Sequence, residues 1–143
     1  MSRYILPLAC LLGLLGVALG AFGAHWLRGA VEQWGLTPEL QTRRLENWET
    51  AVRYQLYHAL ALLFVGWFAQ QRPAAKLPAV AAVLFLVGIL IFSGCLYALV
   101  LSGRTWLGAV VPLGGTSLLA GWLALALATW PTAAQHNSSG KNG

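Results

Sequence analysis

The sequence predicts an all-α integral membrane protein: four transmembrane helices in an up-down bundle, with an amphipathic interfacial helix between the first and second. Three observations predict it. Only 9% of the 143 residues are charged and 58% are hydrophobic, whereas soluble domains carry roughly a quarter charged residues. The charges are segregated, with no Asp, Glu, Lys or Arg in residues 4–27, 54–71, 77–103 or 105–140. Each of these runs approaches or exceeds the ~20 residues that a helix needs to cross a bilayer, and none alternates over ~10 residues as a membrane strand would. A helix satisfies its own backbone polar groups in lipid. The expected spans are 4–27, 52–70, 78–101 and 106–130, within a single domain over 1–130.

The first span opens with Arg3 and an apolar run that is too long for a signal-peptide core, so it is expected to be retained. Gly13, Gly16, Gly20 and Gly23 recur at spacings that put them on one helix face. A face of small residues lets a second helix approach closely in lipid. The glycines are therefore assigned to helix packing, within the chain or between copies. Their spacing matches no phosphate-binding loop.

Residues 28–51 form the main polar segment. Thr37-Pro38-Glu39 predicts a helix start, with Thr37 as cap and Pro38 in the first helical position. Leu40, Leu45, Trp48 and Val52 follow at helical spacing, and Glu39/Arg43 and Glu49/Arg53 are i,i+4 pairs of opposite sign. This pattern predicts a helix lying at the membrane surface, either separate from the second span or running on into it after a bend, with Trp34 and Trp48 at headgroup depth.

Gln71–Pro78 is a short turn that makes the second and third spans antiparallel neighbours. Ser102-Gly103-Arg104 is a second tight turn. The polar tail, 131–143, is expected to be disordered. The 71–77 turn is basic and free of acids, which favours cytoplasmic termini by the positive-inside rule. Cys10 and Cys95 should differ in depth by ~15 Å. That is too far for a disulfide, which needs Cα atoms within about 7 Å.

Candidate functional residues gather in one leaflet, away from the termini. The second span begins with Arg53, Tyr54, Gln55 and His58; the third ends with Ser93, Gly94 and Tyr97; the fourth begins with Pro112, Gly114, Gly115 and Thr116. Tyr54, Gln55 and His58 share a helix face, and Ser93 and Tyr97 are i,i+4 neighbours. Pro112 and the Gly114-Gly115 pair are of a kind that commonly breaks or kinks a helix. Together these predict a one-sided polar pocket walled by the second, third and fourth spans. His25, at the end of the first span, joins it only if that helix bends near Gly23 or if the pocket lies on the other side of the helix; a regular helix points His25 away from the glycine face. The candidate ligand-binding set is His25, Arg53, Tyr54, Gln55, His58, Ser93, Tyr97 and Thr116, and Gly94, Gly114, Gly115 and Gly121 join the packing glycines.

The same polar residues have an alternative use as interhelical hydrogen-bond partners, worth about 0.6 kcal/mol each. Two histidines on separate helices do not make a metal motif, and no metal, haem or other cofactor is expected. Nor is enzyme activity, because no carboxylate lies inside a span to orient an imidazole.

The segments "GAFGAHWL", "WETAVRYQLYHALALL", "FSGCLYAL" and "GAVVPLGGTSLLAGW", in this order over residues 4–130, resemble the family of small bacterial inner-membrane proteins called domain of unknown function 423. The resemblance implies a four-helix inner-membrane protein. It maps motif positions onto Gly20, Gly23, His25, Tyr54, Gln55, His58, Ser93, Gly94, Tyr97, Pro112, Gly114, Gly115, Gly121 and Trp122, and brings no biochemical activity. Three functional readings follow. One is a binding or accessory protein whose pocket takes a lipid headgroup, quinone or small polar ligand. The second is a transporter or channel subunit, which at four helices requires a homo-oligomer. The third is a structural partner of another membrane protein. The net charge of +5 suits contact with anionic membrane lipids, and no nucleic-acid partner is expected.

Overall fold

The computed structural model describes residues 2–130, and these are helical apart from short connections. Helix α1 spans Ser2–Phe22, passes through a π-helical turn at Gly23–Leu27, and continues as α2, Arg28–Gln33. Then come α3 (Pro38–Gln71), α4 (Leu77–Ser102) and α5 (Leu107–Thr129). The tail expected over 131–143 lies outside the described residues.

Among the described residues, three stretches are long and apolar enough to cross a membrane: Arg3–Gln33, Leu77–Ser102 and Leu107–Thr129. The expected second span is the C-terminal part of α3. Its charge-free run carries Gln55, His58, Gln70 and Gln71, which dilute its hydropathy.

Two boundaries differ from expectation. The first helix does not stop near residue 27, because residues 28–33 extend it. The 38–51 segment and the 52–70 span are one 34-residue helix, since no proline occurs between Pro38 and Pro73 to interrupt it. Its start is as the sequence indicates: the Thr37 side chain accepts from the Leu40 amide at 3.5 Å, with Pro38 opening the helix. The backbone at that helix start, and then the Thr37 hydroxyl, hold the Glu39 carboxyl below its ordinary range.

Neighbouring helices run antiparallel. α1 packs on α3, α3 on α4, and α4 on α5. One core draws Ile5 and Ala9 from α1, Leu62 and Val65 from α3, Phe85 from α4 and Leu118 from α5. A second gathers Leu27, Val31, Trp48, Val52 and Val100 at the end where α2 lies. The π-helical turn explains how α2 keeps its place. Gly23, Leu27 and Val31 are all buried, yet residues four apart drift by about 40° per step on a regular helix. The wider turn absorbs that drift.

The packing glycines divide. A Cβ on Gly16 would lie 2.7 Å from Leu56, one on Gly20 3.4 Å from Val52, and one on Gly23 2.5 Å from Trp48. These three positions therefore seat α3 of the same chain, and Gly16, Gly20 and Gly23 are not a free face for a second copy. Gly13 and Gly94 have nothing within 4 Å of an added Cβ, so neither seats another helix of the same chain. Gly121 accommodates the Phe85 ring at 2.7 Å, and Gly115 sits in ordinary contact with Phe92. Gly114 lets α5 approach the backbone of α4, where a Cβ would lie 2.8 Å from the Phe92 Cα. Gly66, against Leu6 and Ile5, and Gly88, against Leu118, serve the same purpose without having been singled out.

The expected break in the last span does not occur, since α5 is helical through Pro112 and the glycine pair. Membrane helices tolerate proline where neighbouring groups re-satisfy the backbone. Gly103 (φ 72°) caps α4 in the left-handed conformation, with its amide on the Leu99 carbonyl at 2.9 Å. Cys10 and Cys95 are both free.

Candidate functional site

The polar residues at this end of the helices fall into two groups on adjoining sectors of α3, one turned toward α1 and α4 and the other toward α5. Gln55, Ser93 and Tyr97 form the first. The Gln55 amide nitrogen donates to the Leu12 carbonyl of α1 at 2.9 Å, and its oxygen accepts from the Tyr97 hydroxyl of α4 at 3.0 Å. Gln55 thus joins three helices through one side chain. Ser93 donates to the Ala51 carbonyl at 2.8 Å. Trp48 donates to the Leu19 carbonyl at 2.9 Å, and its ring lies 4.7 Å from that of Tyr97. Gln55 and Ser93 are buried, and all of these polar groups are spent on holding helices together.

Tyr54, His58 and Thr116 belong to the second group. They line a groove of about 650 Å³ with α3 and α5 as walls and Phe92 of α4 at its base; Tyr57, Pro112 and Trp122 complete its sides. The His58 ring is fixed at both nitrogens. Nδ1 lies 2.7 Å from the Tyr54 carbonyl, and the Trp122 indole N–H reaches Nε2 at 3.1 Å. Indole only donates, so Nε2 must carry the lone pair and Nδ1 the proton. His58 is therefore a neutral strut between α3 and α5. The Tyr54 ring stacks on Phe92 at 4.4 Å. Thr116 donates to the Leu113 carbonyl of its own helix at 2.8 Å, which leaves its oxygen able to accept. Tyr54 and Tyr57 are both substantially exposed, at 40% and 58%. No hydrogen bond engages either phenol among the described residues.

The groove continues. Trp122 also borders a second apolar trough of about 460 Å³, lined by Ala61, Phe64, Leu125, Ala126 and Thr129. The two lie end to end along the seam between α3 and α5.

Two candidates stand apart from the groove. His25 is exposed, because it sits half a turn from the buried Gly23 and Leu27 within the π-helical turn. The helix does change at Gly23, but His25 stays outward, and no hydrogen bond links it to His58. Arg53 is also outside the groove. Its Nε lies 3.4 Å from the Glu49 carbonyl, and it borders a separate cavity with Arg28. Tyr57, Phe92 and Arg28 were not anticipated as lining residues. The signal for Tyr57 was present in its position one turn before Ala61 on the Tyr54 side of the helix. Among the described residues no group of three or more His, Cys, Asp or Glu side chains is placed to hold a metal ion.

Comparison with known sequences gives a consistent result. The family described as "Protein of unknown function (DUF423)" matches residues 19–115. The chain is 36% identical over 126 residues to the UPF0382 membrane protein YwdK of Bacillus subtilis, covering 88% of this chain and 95% of that one. It is 38% identical over 127 residues to a UPF0382 membrane protein of Staphylococcus epidermidis, covering 89% and 95%. It is 39% identical over 125 residues to the UPF0382 inner membrane protein YgdD of Escherichia coli, covering 85% of each chain. No solved structure matches.

Proposed function

This chain belongs to the DUF423 family of membrane proteins, and from that premise and the shape of the α3–α5 seam we propose that it binds a membrane-resident amphiphile with a flat polar ring, of the isoprenoid quinone class. α3 serves as the fourth span and the protein resides in the bacterial inner membrane with its termini on the cytoplasmic side. The observation that carries the reading is the graded groove. One end presents the Tyr54 and Tyr57 phenols, the Thr116 hydroxyl and the faces of Phe92 and Trp122. The other is wholly apolar apart from Thr129.

A quinone ring has two carbonyl acceptors and a flat face, and phenols supply donors while aromatic rings supply a stacking surface. The polar end lies at the depth of Arg53, at the edge of the charge-free run 54–71, and the trough runs inward along α3. An amphiphile would thus sit with its head near the membrane edge and its tail in the apolar interior. His58 contributes by fixing the Trp122 indole, so the wall is set before a ligand arrives.

The test is native mass spectrometry of the protein in mild detergent with added decylubiquinone, with an absorbance spectrum of the same sample. One retained quinone per chain is expected. Tyr54→Phe/Tyr57→Phe should weaken retention about thirtyfold, from two hydrogen bonds worth ~1 kcal/mol each. Retention that is unchanged in the double variant, or that shows no fixed stoichiometry, overturns the proposal.

A further inference from the structure

We infer a second, independent site on the opposite face of α3: a pocket for the phosphate of an anionic phospholipid, held between Arg28 and Arg53. A cavity of about 260 Å³ opens where the π-helical turn meets α3. Its floor is apolar, formed by Trp48 and Val52, and Gly20 and Gly23 leave its wall without side chains. The Trp48 N–H is already committed to the Leu19 carbonyl, so the floor offers no competing polar group. Arg28, Arg53 and Glu49 stand at its rim.

Position in the sequence sets the depth. Arg28 is the first charge after the run 4–27, and Arg53 is the last before the run 54–71. α1 and α3 are antiparallel, so both arginines mark the same membrane edge, and the cavity lies between them. Lipid phosphates occupy that level of a bilayer. The charge balance is also suitable. Glu49 approaches Arg28 at 3.9 Å, with both side chains largely exposed. It offsets one guanidinium, while the terminal nitrogens of Arg53 have no hydrogen-bond partner among the described residues. The rim therefore keeps one uncompensated positive charge, beside donors of the fork geometry that suits phosphate oxygens. An apolar floor under a basic rim fits a phosphodiester carrying acyl chains better than it fits a free anion.

The experiment is native mass spectrometry of the full chain in mild detergent, offered phosphatidylglycerol or phosphatidylcholine. One retained phosphatidylglycerol per chain is expected, with phosphatidylcholine at least tenfold weaker. Arg28→Gln/Arg53→Gln should reduce phosphatidylglycerol retention by about tenfold or more. Arg3→Gln/Arg72→Gln, at the other membrane edge, should leave it unchanged. Glu49→Gln should raise retention severalfold, because it frees Arg28, and this variant decides the matter if the double arginine variant does not fold. Equal retention of both lipids, no loss in the folded double variant, or no gain in Glu49→Gln would each overturn the inference. Displacement of the lipid by millimolar inorganic phosphate would also overturn it, since it would show a site for soluble anions.

Discussion

Gly114→Ala is expected to destabilise the helical assembly by about 1–3 kcal/mol, the usual cost of overpacking a tight contact. The added Cβ would meet the backbone of α4, 2.8 Å from the Phe92 Cα. A flexible side chain can step aside, but backbone at a helix–helix crossing cannot do so without moving the whole helix. The displacement would also reach Phe92, at the base of the groove. Gly94→Ala is the matched control. It lies on α4, and an added Cβ has nothing within 4 Å, so the change should be within ~0.5 kcal/mol of neutral or slightly stabilising. Reversible unfolding in mixed micelles reads both. Equal stabilities for the two variants would mean that α4 and α5 are not held at the Gly114 crossing.

Gln55→Leu should cost about 1–2 kcal/mol by the same measurement, from two interhelical hydrogen bonds at a residue only 4% exposed. The two losses differ in kind. The Leu12 carbonyl retains its own helical partner, whereas the Tyr97 hydroxyl is left with none. Tyr97→Phe should therefore cost less in the Gln55→Leu background than alone, with a coupling of ~0.5–1.5 kcal/mol. Additive losses would show that the bond between Tyr97 and Gln55 contributes nothing to stability. Neither variant touches the α3–α5 groove directly, so a folded Gln55→Leu protein should still retain quinone.

The two sets of expectations separate residues that the sequence places together. Tyr54, Gln55 and His58 occupy neighbouring angles on one helix, and Ser93 and Tyr97 lie one turn apart on another. Helical periodicity alone groups all five. Which of them face a cavity depends on where the flanking helices stand. α1 covers the Gln55 side and consumes its polarity, while α5 stands off on the Tyr54 side and leaves a seam. The same geometry turned Gly16, Gly20 and Gly23 from a surface for another copy into the seat of α3.

The sequence by itself determined the helical class, the charge-free runs, the antiparallel order imposed by short turns, the start of α3 at Thr37-Pro38 and the absence of a disulfide. These follow from local chemistry: composition, capping and the need of the backbone to bond internally in lipid. Only the tertiary structure decided that α1 continues through a π-helical turn into α2, that α3 runs unbroken from Pro38 to Gln71, and that α5 remains helical past Pro112. It alone decided that His25 points outward while His58 bridges α3 and α5. Those outcomes depend on contacts between residues distant in sequence. Gly23 against Trp48 and Trp122 against His58 are pairings whose distance and angle no single-helix periodicity specifies.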